Sequence, residues 1–173
     1  EPDTKFKDLQ KSIQCGKNII SEYDNKMPSN LTAEQILIRS GNIGSVRIGQ
    51  SLGLEKFKKF MNDLNLINPI QFDIEEVGEP IPFKWGKCKL VTASYGHGIT
   101  TTILQLANAY SIIVNGGYKI TPTLIKKDLD LNKEKILNKD VSKKIISILR
   151  KIVTTKEGTA SLANVDGYEV GGK

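Results

Sequence analysis

The chain has 173 residues, of which 39% are hydrophobic, and it carries a formal net charge of +6. This length is enough to bury one core, or one core with a hairpin appendage, and no stretch approaches the ~20 apolar residues of a membrane span. The positive charge is nearly all lysine, scattered over predicted solvent faces without interleaved aromatic side chains, which argues against a nucleic-acid partner.

Cysteine and histidine, the usual ligands of structural zinc, are rare in the chain. Cys15 and Cys88 are the only cysteines, and His97 is the only histidine. A structural zinc site needs about four ligands, so we expect no metal and no cofactor. The two cysteines could pair in an oxidising compartment, but the favoured interpretation is two free thiols, buried or half-buried.

The first thirty residues predict a short hairpin followed by a loop. Residues 13–15 and 18–20 flank a turn around Gly16. Thr32 then makes a suitable N-cap for a helix, because Gln35 lies three residues later and can complete a capping box.

Three helices are predicted between residues 32 and 64. The first ends near Arg39, and the second runs from about Asn42 to Gln50 and stops at Gly53. The third has apolar residues at helical spacing with lysines on its opposite face, and five side chains are expected inside: Leu54, Phe57, Phe60, Met61 and Leu64.

A long connection from Asn65 to Cys88 has no convincing periodicity, and the longest helix is expected after it, from about Thr100 to Val114. The expected inner stripe of that helix is Ile103, Leu106, Ala107 and Tyr110. The sequence Asn115-Gly116-Gly117 is a strong helix stop.

The remaining residues predict an extended segment at 118–126, a helix ending near Thr155 and a helical turn near Ser161. Tyr168–Lys173 is the most convincing strand. The last long helix should bury Val141, Ile145, Ile148, Leu149 and Ile152. The predicted fold is therefore mainly α: a hairpin and loop over 1–30, a helical subdomain over 31–165 and a strand over 166–173.

Two short strings carry candidate chemistry: the triplet Ser40-Gly41-Asn42 and the terminal Gly171-Gly172-Lys173. An S-x-N triplet and a strand ending in lysine are the second and third members of the acyl-transfer set S-x-x-K, S-x-N, K-T-G. Ser40 would relay a proton, Asn42 would bind a peptide carbonyl, and Lys173 would attract a terminal carboxylate and polarise the serine. No S-x-x-K precedes Ser40 and no T-G follows Lys173, so we expect an interior slice of an enzyme.

Each of these residues also has a purely structural interpretation. Ser, Gly and Asn are the residues that ordinary helix–helix connections use, and a C-terminal lysine is commonly solvated. His97 lies between two glycines before a helix, a place that suits packing or capping, and we assign it no catalytic role.

Longer strings extend the pattern along the chain: L-T-A-E-Q-I-L-I-R-S-G-N-I-G-S-V-R-I-G-Q-S-L-G, then S-Y-G-H-G-I-T-T-T-I-L-Q-L-A-N-A-Y, then N-G-G-Y, then E-G-T-A and G-Y-E-V-G-G-K. In this order they resemble the transpeptidase domain of class B penicillin-binding proteins. The opening E-P-D-T resembles the segment just after that family's nucleophile-bearing helix. The string S-Y-G-H-G-I is closer to the septal, cell-division type than to the elongation type.

The resemblance implies a peptidoglycan D,D-transpeptidase that cross-links stem peptides ending in D-Ala-D-Ala through a serine acyl-enzyme, which β-lactams also form. It implies that Ser40 is the proton-shuttling hydroxyl, Asn42 the substrate-orienting amide and Lys173 the cation on the carboxylate side. The nucleophilic serine, its lysine and the oxyanion-hole residue would lie outside this chain, which alone would be inactive.

The resemblance also implies a fold, a location and partners. The parent would be the α/β penicillin-binding-protein and β-lactamase-like transpeptidase fold, with a five-stranded antiparallel sheet of which this chain carries little. It would act at the periplasmic face of the bacterial cytoplasmic membrane, anchored by an N-terminal segment absent here, with division-machinery partners. Helices without their sheet would expose apolar stripes, so the chain is expected to self-associate. The alternatives are a β-lactamase or β-lactam-sensor relative and a non-catalytic interaction module.

Overall fold

The computed structural model describes residues 1–74, 78–86, 88–126 and 134–173. The elements there are β1 (Lys5–Phe6), β2 (Ser12–Cys15), β3 (Asn18–Ser21), β4 (Leu31–Thr32), α1 (Ala33–Ile38), α2 (Asn42–Leu52), α3 (Leu54–Asp63), α4 (Lys89–Ala93), α5 (Ile103–Val114), α6 (Lys139–Thr154) and a 3₁₀ turn (Ser161–Ala163). Helices dominate, as the sequence predicts, and α6 rather than α5 is the longest of them.

The chain divides into two compact units. The first comprises Glu1–Leu54, Trp85–Gly98 and Ile146–Lys173, and the second comprises Glu55–Lys84 and Ile99–Ile145. None of the helices in the described ranges is long and apolar enough to cross a lipid bilayer.

The predicted hairpin of the first unit is confirmed. Strands β2 and β3 pair antiparallel, with Ile13 opposite Ile20 and Cys15 opposite Asn18. Gly16 in the connecting turn has a φ of +62°, a left-handed conformation that glycine adopts without steric cost. Strands β1 and β4 form a second antiparallel pair, and β4 leads directly into α1.

Cys15 and Cys88 form a disulfide, so the interpretation of two free thiols is wrong. The bond joins the end of β2 to the residue that precedes α4, within the first unit. The two cysteines are 73 residues apart in sequence, and sequence spacing does not reveal whether their Cα atoms lie close enough to be bridged.

The capping box of α1 is confirmed. Thr32 Oγ1 accepts a hydrogen bond from the Gln35 N–H at 3.2 Å, and Gln35 Oε1 accepts one from the Thr32 N–H at 2.9 Å. Helix α2 follows after a short corner and stops at Gly53, as predicted. One core cluster of the first unit contains Leu9, Met27, Leu31 and Ile36, with Phe6 and Ile48 packed against it.

In the second unit, α3 buries Met61 near its end, and Leu64 follows it into a core with Ala109 and Ile112. Leu54, the first residue of α3, is predicted to lie on the buried face of that helix, but its side chain is 37% exposed. The connection from 65 to 88 has neither helix nor strand where the structure describes it, and residues 75–77 and 87 lie outside the described part.

Helix α5 exists and ends at Val114 as predicted, but its expected inner stripe is wrong. The buried side chains are Gln105, Asn108, Ala109 and Ile112, whereas Ile103 is 90% exposed and Leu106 is 47% exposed. Gln105 Nε2 donates to the carbonyls of Asn65 and Asn68 at 3.0 and 2.5 Å, and Asn108 Nδ2 donates to the Ile120 carbonyl at 3.1 Å. These hydrogen bonds offset part of the cost of burying two amide side chains, since the buried Asn108 Oδ1 has no partner among the described residues.

Two predicted extended segments form no strand in the described residues. Within 118–126 there is only an isolated bridge from Tyr118 to Lys135, and 127–133 lie outside the described part. Tyr168–Lys173 has no strand partner in the described residues, and one of its backbone hydrogen bonds goes to α6: Gly172 N–H donates to the Leu149 carbonyl at 3.2 Å. Helix α6 buries Ile148, Leu149 and Ile152 as expected, but Val141 is 37% exposed.

Candidate active site

Ser40 lies in the corner between α1 and α2. Arg39 caps the C-terminus of α1, and Gly41 precedes the first residue of α2. Ser40 has a φ of +55°, a left-handed conformation that is uncommon for residues other than glycine. The S-x-N triplet therefore forms a tight turn between two helices, as the sequence predicts.

The hydroxyl of Ser40 contacts two side chains from the C-terminal part of the chain. Lys173 Nζ donates a hydrogen bond to Ser40 Oγ at 2.9 Å, although the two residues are 133 positions apart. The same ammonium donates to the Leu37 carbonyl at 3.4 Å. On its other side, Ser40 Oγ lies 3.1 Å from Thr159 Oγ1. The structure thus brings two of the three predicted site residues into direct contact.

Lys173 has an environment suited to a negatively charged ligand. Burial lowers the pKa of its ammonium below the 10.5 of an ordinary lysine. Within the described ranges no carboxylate forms a salt bridge with it. Its neighbours Ser40 Oγ and the Leu37 carbonyl are neutral oxygens, so an incoming carboxylate would not compete with a protein carboxylate for this cation.

Asn42 is the first residue of α2, and its contacts fix it to the end of β3. Its Nδ2 donates to the Ser21 carbonyl at 2.9 Å. Its backbone N–H donates to Glu22 Oε2 at 2.8 Å, and the Ile43 N–H donates to Glu22 Oε1 at 2.9 Å. Because Gly41 supplies no capping side chain, Glu22 provides the acceptors and the negative charge that the N-terminus of α2 favours.

Thr159 belongs to the string E-G-T-A, which follows α6 and packs against the Ser40 corner. Glu157 Oε1 forms a salt bridge with Arg39 Nη2 at 2.6 Å. The turn approaches α6 so closely that a Cβ on Gly158 would lie 2.0 Å from the Ile152 carbonyl oxygen, which requires glycine at this position. The E-G-T-A turn is therefore fixed beside Ser40 by contacts on both sides.

Sequence reasoning assigned no role to Glu22 or Thr159. The string E-G-T-A was the available signal for Thr159, since it is part of the resemblance. Glu22 lies 20 residues before Asn42, and no local pattern joins a hairpin end to the start of a later helix.

Among the residues that the structure describes, His97 forms no side-chain hydrogen bond with Ser40, Asn42 or Lys173. His97 stacks on Tyr95 with ring centroids 5.9 Å apart, and its backbone N–H donates to the carbonyl of Thr92 in α4. A cleft of about 520 Å³ in the second unit is lined by residues 69–74, 78–79 and 121–122, and not by the three predicted site residues. In the described part of the chain, no cluster of three or more His, Cys, Asp or Glu side chains could hold a metal ion.

The family model described as "Penicillin binding protein transpeptidase domain" matches residues 1–173. Among curated relatives, "Probable peptidoglycan D,D-transpeptidase FtsI" of Caulobacter vibrioides is 26% identical over 170 residues, covering 96% of this chain and 29% of that protein. "Stage V sporulation protein D" of Bacillus subtilis is 31% identical over 154 residues, covering 80% of this chain and 24% of that protein. This chain thus spans less than a third of either relative.

Solved structures show the same fold. The transpeptidase domain of penicillin-binding protein 3 from Burkholderia pseudomallei superposes with a TM-score of 0.87 at 21% identity, covering 98% of this chain and 52% of that one. A peptidoglycan glycosyltransferase from Burkholderia ambifaria gives a TM-score of 0.89 at 22% identity, covering 100% of this chain and 55% of that one. By its family match and by this fold, the chain belongs to the penicillin-binding protein transpeptidase domain family.

Proposed function

We propose that this chain is part of a peptidoglycan D,D-transpeptidase that cross-links stem peptides ending in D-Ala-D-Ala. Family membership and the names of the relatives support the reaction class. The observation that carries the site assignment is the 2.9 Å contact between Lys173 Nζ and Ser40 Oγ. A chance S-x-N triplet and a chance C-terminal lysine would have no reason to meet across 133 residues.

In this mechanism the three residues orient groups and move protons. A serine outside this chain attacks the carbonyl of the D-Ala-D-Ala bond, D-Ala leaves as the amine, and the amine of a second stem resolves the acyl-enzyme. Ser40 passes the proton of the attacking serine towards the leaving nitrogen. Asn42 orients the substrate amide, and Lys173 binds the terminal carboxylate and polarises Ser40.

The 173-residue chain alone is expected to be inactive. No S-x-x-K occurs in its sequence, so the nucleophile and its activating lysine are assigned to a part of the protein outside it. Without the nucleophile and the oxyanion hole, which normally supplies a large share of the rate, orientation by Ser40, Asn42 and Lys173 produces no acylation.

The enzyme is further proposed to act in septal wall synthesis at the periplasmic face of the cytoplasmic membrane, anchored by a segment outside this chain. The string S-Y-G-H-G-I supports the septal type, and division-machinery proteins are the proposed partners. The Cys15–Cys88 disulfide supports an oxidising compartment such as the periplasm.

The test uses the full-length protein that carries this segment and a fluorescent penicillin. A long-lived covalent adduct on one serine outside these 173 residues is expected, and Asn42→Ala should slow its formation while Asn25→Ala, in an exposed loop, should not. Rapid turnover of the penicillin would instead indicate the β-lactamase alternative. Stoichiometric labelling of the isolated 173-residue chain would overturn the assignment of the nucleophile.

A further inference from the structure

The hydroxyl of Thr159 has no part in the mechanism above, yet it is one of the two side-chain groups bonded to Ser40 Oγ. A serine hydroxyl has one hydrogen to donate and two lone pairs that accept. Lys173 can only donate, so it occupies one lone pair of Ser40. The bond to Thr159 therefore uses either the second lone pair of Ser40 or its hydrogen.

Contacts that do not involve Ser40 place Thr159 where it is. Glu157 is paired with Arg39, the residue next to Ser40. The Gly158 N–H donates to the Thr155 carbonyl at 3.0 Å, and the Ala160 N–H donates to the Ile152 carbonyl at 3.3 Å. The backbone on both sides of Thr159 is thus anchored to α6 and to the corner, so its hydroxyl is in position before any proton moves.

We propose that Thr159 is a positioning residue that acts through Ser40, holding its hydroxyl in place while that hydroxyl changes between donor and acceptor. In a relay, Ser40 Oγ gives its own proton to one neighbour and takes a proton from another on the lone pair that this frees, so the hydroxyl is neutral before and after. The rotatable Thr159 hydroxyl can donate to Ser40 when the Ser40 proton is directed to the substrate, and can accept from Ser40 when it is not. Lys173 cannot do both, because an ammonium has no lone pair.

A purely structural role would leave a different signature. Thr159 is exposed, so the removal of its hydroxyl leaves no buried polar group without a partner and should barely change stability. If the γ-methyl group mattered for packing, serine, which lacks it, would be harmful, and valine, which keeps it, would not. If the hydroxyl matters, serine restores function and valine, which has nearly the same shape, does not.

The experiment, which rests on the proposed transpeptidase function, compares Thr159→Val, Thr159→Ser and wild type in the full-length protein. Acylation by fluorescent penicillin is followed at several concentrations, so that the rate constant is separated from the dissociation constant. We expect roughly a tenfold loss in the rate constant for Thr159→Val, the scale of one hydrogen bond, with the dissociation constant nearly unchanged. Thr159→Ser should retain most of the rate.

Thr154→Val is the matched control, since Thr154, the last residue of α6, is also exposed and its hydroxyl donates to the Arg150 carbonyl within the same helix. It should acylate like wild type. Wild-type rates in Thr159→Val, or equal losses in the valine and serine variants, would overturn the role of Thr159 while leaving the transpeptidase assignment intact. If the wild-type protein itself forms no adduct, the proposed function fails first and removes the basis for this inference.

Discussion

At the scale of single residues, one hydroxyl joins three parts of the chain. Ser40 comes from the corner after α1, Thr159 from the turn after α6 and Lys173 from the last position. Each contact is a single hydrogen bond at the surface, and each is modest in free energy. These contacts matter because they hold the Ser40 hydroxyl within hydrogen-bond distance of its neighbours, and proton transfer requires donor and acceptor at that distance.

The pH dependence of acylation should report the state of Lys173. Its pKa is lowered by burial, so the ammonium loses its proton at a lower pH than an ordinary lysine with a pKa of 10.5. Since the charged form binds the ligand carboxylate, acylation by a penicillin should fall as pH rises, and should begin to fall below pH 10.5. A pH titration of the acylation rate in the full-length protein measures this effect.

The control is a penicillin ester, which lacks the carboxylate. Lys173→Ala should slow acylation by the free acid more than acylation by the ester. Equal losses for the two ligands would contradict carboxylate binding by Lys173 and leave only its contact with Ser40.

At the scale of elements, the start of α2 depends on Glu22 at the end of the hairpin. Glu22→Ala removes the acceptors of two backbone N–H groups in a buried place, which should destabilise the start of the helix by roughly 1–3 kcal/mol. Hydrogen–deuterium exchange of the 42–46 amides should become faster. Glu55→Ala in the exposed first turn of α3 is the control and should change exchange little. Unchanged protection in Glu22→Ala would show that Glu22 does not hold this helix.

The elements show what the sequence predicts well and what it does not. Capping boxes, glycine stops and the hairpin turn are local, so α1 begins after Thr32 as expected, while α5, predicted from about Thr100, begins at Ile103. The buried face of α5 differs from the prediction because hydrophobic periodicity assigns apolar residues to the inside. Periodicity carries no information about the loop carbonyls that accept hydrogen bonds from Gln105 and Asn108. The disulfide and the Thr159 contact join distant residues, so local patterns do not reveal them either.

At the scale of the whole molecule, the disulfide constrains the chain by joining two residues that are 73 positions apart. Closing a loop of 73 residues reduces the entropy of the unfolded chain and should stabilise the folded state by about 4 kcal/mol in the loop-entropy estimate. Adding a thiol reductant should therefore lower the melting temperature clearly. The variant with Cys15→Ser and Cys88→Ser should melt at the lower temperature and be insensitive to reductant. Identical melting of wild type with and without reductant would contradict this expectation.

The apolar surface of α5 leads to a prediction about assembly. Ile103 is 90% exposed and Leu106 is 47% exposed, and neighbouring exposed apolar side chains promote association. The 173-residue chain should self-associate in sedimentation velocity, and lysine at both positions should shift it towards monomer. Ile81→Lys, at another exposed apolar residue, should have less effect. A monodisperse wild-type monomer would refute the prediction.

The left-handed backbone of Ser40 sets stability against activity at a single position. This conformation destabilises the folded state by about 1–2 kcal/mol for a residue with a Cβ. Glycine avoids that strain, and it destabilises the folded state by only ~0.4–1 kcal/mol because it raises the entropy of the unfolded chain. Ser40→Gly should therefore fold at least as stably as wild type and still lose the relay. Ser40→Thr keeps the hydroxyl but adds a branched carbon where the backbone tolerates it least, so it should be the less stable variant. Selection for thermal stability would thus favour glycine at position 40, whereas selection for cell-wall synthesis would favour serine.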